Sequence, residues 1–455
     1  MLRTLYRFAT LLLLSFALVG RPALAQSILR DAETEALFND IARPLVAAAG
    51  LDPNNVQVVL IGDPEINAFV AGGQIVYIHS GLIAAADNAN QVQGVIAHEL
   101  GHITGGHIVR FAEGAKAATG IALLSLLLGV AAMAAGGGEA GMGIISAGQQ
   151  AAMGKFLAFT RTQESSADAA GVSFLNKAGV SGQGMITFFG KLRREEYRLS
   201  PSYTDVDPYS QTHPMSADRA ATLTHDLETA PAWSSPTDPS IEARFQRIKA
   251  KLAGFVQEPD ETFKQFPERD KSIPGHYARA YAWHKSGYDE KARAEVAHLV
   301  AASPHDPYFL ELKGQILLES GKPKEALPAL REAVVRSNNQ PLIAALFGHA
   351  LVATEDPANF AEARQVLRLA VQRDNENPDA WYQLGMIYDR EGDTARAALA
   401  TAEQYNLSGQ PELALRPAET ALMGLPQGSP DWLRAQDIAM VSKNELADKK
   451  RKKKK

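Results

Sequence analysis

The chain has 455 residues, a formal net charge of −5 and no cysteine. The tail Lys449 to Lys455 supplies +7, and Arg3, Arg7 and Arg21 supply +3, so the body between them stands at −15. That acidity argues against nucleic acid as a partner, and the missing thiols exclude both a disulfide framework and a thiolate metal site.

Met1 to Ala25 reads as a secretory signal peptide, with Arg3 and Arg7 first, an apolar run from Leu11 to Leu18, then Ala23-Leu24-Ala25 as a small-x-small cleavage site. The mature chain is expected to begin near Gln26. At about 430 residues it is too long for one core and predicts two or three domains. Residues 26–250 read as the first. Val58 to Ile61 and Gln74 to Ile78 have the β-branched content of strands, and Gly72-Gly73 turns into the second of them from Asn67-Ala68-Phe69-Val70. Two or three antiparallel strands are expected from this. A helix then begins near Gln91, with Asp87 or Asn88 as its cap and Val92, Val95 and Ile96 on its apolar side.

That helix carries His98-Glu99-Leu100-Gly101-His102, the pattern His-Glu-x-x-His. A spacing of four puts both imidazoles on one helix face, about one turn apart, where two nitrogens can hold a single Zn²⁺. Glu99, turned by one residue, is placed to act as general base on the attacking water. A third protein ligand is needed, and its identity sorts the zinc proteases. One class wants Gly three residues and His six residues after the second histidine. Here Gly105 is present but position 108 is Ile, so that route is disfavoured. A second class takes Glu from a later helix, and Arg161 to Phe174 offers Glu164 and Asp168, spaced by four. Glu164 can then ligate while Asp168 accepts a hydrogen bond from a ligand imidazole. The alternative for Glu164 is a solvated surface carboxylate.

These residues together resemble the M48 family of zinc metallopeptidases. Four matches in order carry the resemblance: Asn67-Ala68-Phe69 followed by Gly-Gly and Gly81-Leu82, then His98-Glu99-x-x-His102, then Glu164-x-x-x-Asp168, then His213-Pro214 with Arg219 six residues after that histidine. The resemblance implies one Zn²⁺ per chain on His98, His102 and Glu164, Glu99 as the base, and Asn67, Ala68, Phe69 and Val70 as the edge to which an extended substrate adds as a strand. In a subgroup of the family with signal peptides and helical repeats, the equivalent of His213 binds the metal as a fourth ligand in a latent state. The alternative is a loop histidine packed beside Pro214. Arg219 can pin that loop or stabilise the oxyanion of the tetrahedral intermediate. His79, His107 and His225 are assigned to packing or surface roles.

Between the motif helix and Glu164, Ala117 to Gly154 carries one charge, Glu139, and long apolar runs. A single membrane span would separate His98 from Glu164, which must share one metal. A hydrophobic hairpin turning at Gly136-Gly137-Gly138 is expected instead, dipping into or lying on a membrane, or covering the cleft as a lid. A buried helical pair is the plainer alternative.

Residues 251–273 read as a linker. From 274 to 430, Ala280, Gly287, Ala292, Leu299 and Pro304 recur 34 residues later as Gly314, Gly321, Ala326, Ala333 and Asn338, the period of the tetratricopeptide repeat. Residues 431–455 are expected to be a helix end and a basic disordered tail. The fold class is mainly α: an α+β zincin-type metallopeptidase domain, with helices and a small antiparallel sheet, followed by an α-solenoid. The order of signal peptide, peptidase and repeats is similar to that M48 subgroup. It implies a periplasmic, membrane-associated endopeptidase and chaperone-like factor that degrades unfolded or misassembled outer-membrane β-barrel proteins or promotes their assembly, with the repeats meeting clients or the β-barrel assembly machinery. Rival readings are an assembly scaffold with a latent peptidase and an integral membrane zinc protease.

Overall fold

The computed structural model describes residues 27–134, 138–199, 213 and 217–452. The signal peptide, the turn at Gly136-Gly137, Pro214 and the last three lysines lie outside them. The chain divides into two compact units, one of residues 1–29 and 37–246, the other of residues 30–36 and 247–455.

In the first unit, β1 (Ser27–Ile28), β2 (Gln57–Gly62), β3 (Ala68–Ala71) and β4 (Ile75–His79) form one sheet in the order β1-β2-β4-β3. β1 pairs antiparallel with β2, and β3 with β4, but β2 and β4 run parallel. The sheet is therefore mixed, which corrects the antiparallel expectation. The cause is the order of entry: Gly72 and Gly73, at φ 61° and 100°, turn β3 sharply into β4, and β4 then pairs between β3 and β2. β3 is left at the sheet edge.

Helix α1 (Ala32–Ala48) lies between β1 and β2 in the chain, and α2 (Ser80–Ala85) and α3 (Ala89–Thr104) follow β4 and pack on the sheet. Asn88 caps α3, its side chain accepting from the Gln91 amide at 3.0 Å. Every residue of α3 from Ala89 to His102 is buried. Next come α4 (His107–Ala134), α5 (Gly138–Ala178), α6 (Gln183–Leu199), α7 (Ala217–Glu228) and α8 (Pro239–Val256). α5 crosses α3 at Gly101, where a Cβ would stand 2.6 Å from the Ala167 carbonyl oxygen. Only glycine lets the two backbones come this close, and the close crossing brings Glu164 and Asp168 over the motif.

α4 and α5 form the hydrophobic hairpin. Gly129 and Gly141 meet at its core, a Cβ on Gly129 standing 2.7 Å from the Gly141 carbonyl oxygen, while Gly114 faces Phe159. Pairings of 114 with 159 and 129 with 141 make the helices antiparallel. Outward residues are apolar and exposed, among them Leu124, Leu127, Val130, Met142 and Met153, so the pair is not a buried one. α4 is long and apolar enough to cross a membrane. The hairpin extends beyond 117–154: α4 starts at His107, and α5 continues unbroken through Glu164.

The second unit is helical. After α9 (Pro259–Gln265) come α10 (Ile273–Lys285), α11 (Asp289–Ala302), α12 (Pro307–Glu319), α13 (Pro323–Arg336), α14 (Pro341–Ala353), α15 (Phe360–Arg373), α16 (Pro378–Arg390), α17 (Thr394–Leu407), α18 (Pro411–Gly424) and α19 (Pro430–Lys452). The first helices of successive repeats start at 273, 307, 341 and 378, and the longer third interval is taken up by a 3-10 turn at Pro357–Asn359. Each begins alike: Ser272, Asp306, Gln340 and Asn377 cap with their side chains, and proline occupies the first or second helical position. Residues 251–273 hold the end of α8 and all of α9. Residues 30–36 belong to this unit: Lys251 pairs with Asp31, and the Tyr277 hydroxyl donates to Glu33 at 2.7 Å. α19 carries the helix through most of the basic tail, where Lys449 pairs with Glu412 at 2.9 Å.

Candidate metal centre

His98 and His102 stand one turn apart on α3, and their Nε2 atoms approach to 3.1 Å. Glu164, from α5, places Oε2 3.4 Å from His98 Nε2 and Oε1 3.4 Å from His102 Nε2. His213 closes the group, with Nδ1 3.3 Å from His98 Nε2 and 3.1 Å from both Glu164 oxygens. All four side chains are buried. Four donors around a tetrahedral Zn²⁺ at 2.0–2.1 Å stand about 3.3–3.4 Å from one another. The separations here match that, and neutral imidazoles with one carboxylate are a zinc-type donor set, so the residues fit the ion.

The electrostatics ask for positive charge at this point. Burial opposes charge on His98, yet its contacts with Asp168 and Glu164 outweigh burial and push its pKa up to about 10. His102 goes the other way, held down to about 2 by burial and by the neighbouring His98. A cation among the donors meets the demand of the carboxylates with both imidazoles neutral.

Outer contacts orient each ligand. His98 Nδ1 lies 3.0 Å from Asp168 Oδ1, leaving Nε2 as the inward donor. Arg219 grips Asp168 through two hydrogen bonds, Nε to Oδ2 at 2.7 Å and Nη2 to Oδ1 at 2.9 Å, and its Nη1 reaches Glu164 Oε2 at 3.2 Å. The guanidinium is thus committed to carboxylates and buried. It bridges the two α5 carboxylates that face the motif helix. Asp168 lies between His98 and Arg219, in contact with both.

His107 was assigned to packing, but its Nδ1 lies 2.9 Å from His102 Nδ1 and it is buried. It therefore does for His102 what Asp168 does for His98. A signal existed in Gly105-Gly106: Gly106 takes φ 63°, reversing the chain after α3, and a Cβ on Gly105 would stand 2.3 Å from His107 Nε2. His79 also proves to be buried, and His225 ends α7.

Glu99 is 1% exposed, and neither carboxylate oxygen has a hydrogen-bond partner. Burial raises its proton affinity above that of an ordinary glutamate. The His213 imidazole stands beside it, with Nε2 3.7 Å from Oε1. Of the strand residues, Asn67 precedes β3 and Ala68, Phe69 and Val70 lie within it; Phe69 stacks on Tyr77 at 5.1 Å between ring centres, and β3 packs against α3.

Residues 29–227 match peptidase family M48, and residues 378–400 match the tetratricopeptide repeat. The chain is 27% identical over 429 residues to the β-barrel assembly-enhancing protease of Escherichia coli K12, covering 91% of this chain and 82% of that one. Its similarity to the protein of the same name from Yersinia pestis is 25% over 383 residues, covering 82% and 76%. The metalloprotease LoiP of Escherichia coli K12 is 34% identical over 172 residues, covering 37% of this chain and 60% of that one.

Proposed function

Since this chain carries a peptidase family M48 domain followed by tetratricopeptide repeats, we propose that it is a periplasmic zinc endopeptidase, held shut at rest by His213. Its clients are unfolded or misassembled outer-membrane β-barrel proteins, presented by the repeats or by the assembly machinery. The observation that supports this best is the convergence of His98, His102, Glu164 and His213 beside a buried carboxylate without a partner, Glu99. The name of the Escherichia coli relative supports the client class.

When bound, zinc supplies Lewis acidity to the scissile carbonyl and to water. His98, His102 and Glu164 hold it, with Asp168 and His107 fixing the two imidazoles and Arg219 fixing both carboxylates. Glu99 takes the proton of the attacking water, a task suited to a carboxylate whose proton affinity burial has raised. β3 offers an unpaired edge next to the motif helix, along which an extended substrate segment adds as a strand. His213 occupies the fourth donor position, which an active centre keeps open. Its departure opens the site and removes the imidazole nearest Glu99.

The apolar faces of α4 and α5 act as a peripheral membrane contact, holding the peptidase near the compartment's bilayer.

Glu99→Gln tests the mechanism. Zinc content should be unchanged and cleavage of an unfolded protein lost; retained cleavage sinks the assignment. Complementation of an assembly defect by the same variant would favour the scaffold reading instead.

A further inference from the structure

A second group of donors stands apart from this centre. His79 ends β4, paired across the sheet with Ile61, and its amide donates to the Asn67 carbonyl at 3.0 Å, so its backbone is pinned on both sides. The imidazole is 1% exposed, and neither ring nitrogen has a hydrogen-bond partner. A buried polar group left unsatisfied is costly, so an occupant at these nitrogens is favoured. Its nearest carboxylate, Asp63 Oδ1, is 3.6 Å from Nδ1, too far for a hydrogen bond and suited to two donors on one ion. Glu65 completes the group, and one donor atom from each of the three residues lies within 4.8 Å of the others.

The loop carrying the two carboxylates is fixed in advance. The Asp63 amide donates to Ser80 Oγ at 3.1 Å, and its carbonyl accepts from Ser80 Oγ at 2.7 Å and from the Gly81 amide at 2.9 Å. The Glu65 amide donates to Asp63 Oδ1 at 2.9 Å. Gly81 lets the loop lie flat on the start of α2, since a Cβ there would stand 2.1 Å from the Pro64 carbonyl oxygen. Glu65 is exposed and Asp63 half-buried, which gives an ion a path from solvent to the buried imidazole.

The geometry points to a second divalent-cation site on Asp63, Glu65 and His79, for an ion of the zinc class. One imidazole and two carboxylates suit such a borderline ion, and their charge of −2 balances it. The site shares no ligand with the centre on α3. It is structural: His79 meets Phe69 edge-on, with ring centres 5.9 Å apart, so an ion that fixes His79 also fixes the start of the edge strand.

The test is the zinc content of the full mature chain after equilibrium dialysis against buffered Zn²⁺. The unaltered chain should hold two equivalents, and Asp63→Asn with Glu65→Gln should hold one; both changes fall on a surface loop and spare the core. Zinc should raise the thermal midpoint of a His98→Ala chain, and that rise should vanish when Glu65→Gln is added. Equal contents with and without the loop carboxylates, or a His98→Ala chain whose thermal midpoint zinc does not raise, overturns the proposal. Failure of the α3 centre is distinguishable, because then His98→Ala alone would cost no zinc.

Discussion

His102 and His107 face each other through their Nδ1 atoms at 2.9 Å, five residues apart and on either side of a chain reversal. With His102 ligating through Nε2, its Nδ1 keeps the hydrogen and donates it to His107. Loss of such an outer contact typically weakens metal binding about 10- to 100-fold. His107→Ala should therefore lower zinc affinity by about that factor in a competition titration with a chromophoric chelator. Wild-type affinity would return His107 to a packing role.

His213→Ala leaves His98, His102 and Glu164, a sufficient protein ligand set with one position open. Proteolysis of an unfolded protein should rise severalfold at unchanged zinc content. An unchanged or lower rate removes the latch.

Leu124 and Leu127 are 58% and 68% exposed on the outer side of the hairpin. Burying a leucine side chain in an apolar medium is worth about 1.5–3 kcal/mol. Leu124→Asp with Leu127→Asp should abolish co-sedimentation with phospholipid vesicles without altering cleavage of a soluble unfolded substrate. Vesicle binding that survives both changes would rule out the hairpin as the contact.

Glu311 in α12 has a buried Oε2 without a partner. Burial pushes its carboxyl up from 4.5 to about 8, with Lys251 opposing and Asp31 and Glu33 adding to the rise. The folded chain therefore holds a proton there that the unfolded chain releases. The resulting stability is complete below about pH 4.5 and is lost as pH rises through about 8. Glu311→Gln should flatten the fall of the repeat unit's urea midpoint across that range and stabilise it at alkaline pH. An identical pH slope in the variant would show that Glu311 does not titrate on unfolding.

The motif could be read from sequence because it is local: two histidines and a glutamate on one helix need only the helical period. Glu164 and Asp168 were legible by their own spacing of four, although nothing in the sequence said that their helix also forms the hairpin. His107 was lost because five residues do not share a helix face; Gly106 at φ 63° brings it back under His102. The parallel pairing of β2 with β4 was hidden since strand content does not encode order in a sheet. The repeats were plain from their period, whereas residues 30–36 join them through single ionic contacts, such as Lys251 with Asp31, that leave no periodic trace.

Helix α5 is one rod of 41 residues, about 61 Å at 1.5 Å per residue. Met142 near one end and Glu164 further along are joined by about 33 Å of continuous backbone hydrogen bonding. A tilt of the apolar arm would move Glu164 and Asp168 together, while His98 and His102 stay with α3. The hairpin is in this sense a handle on the ligand set: leverage far from the metal can change the spacing of its donors with no signal passing through the repeats.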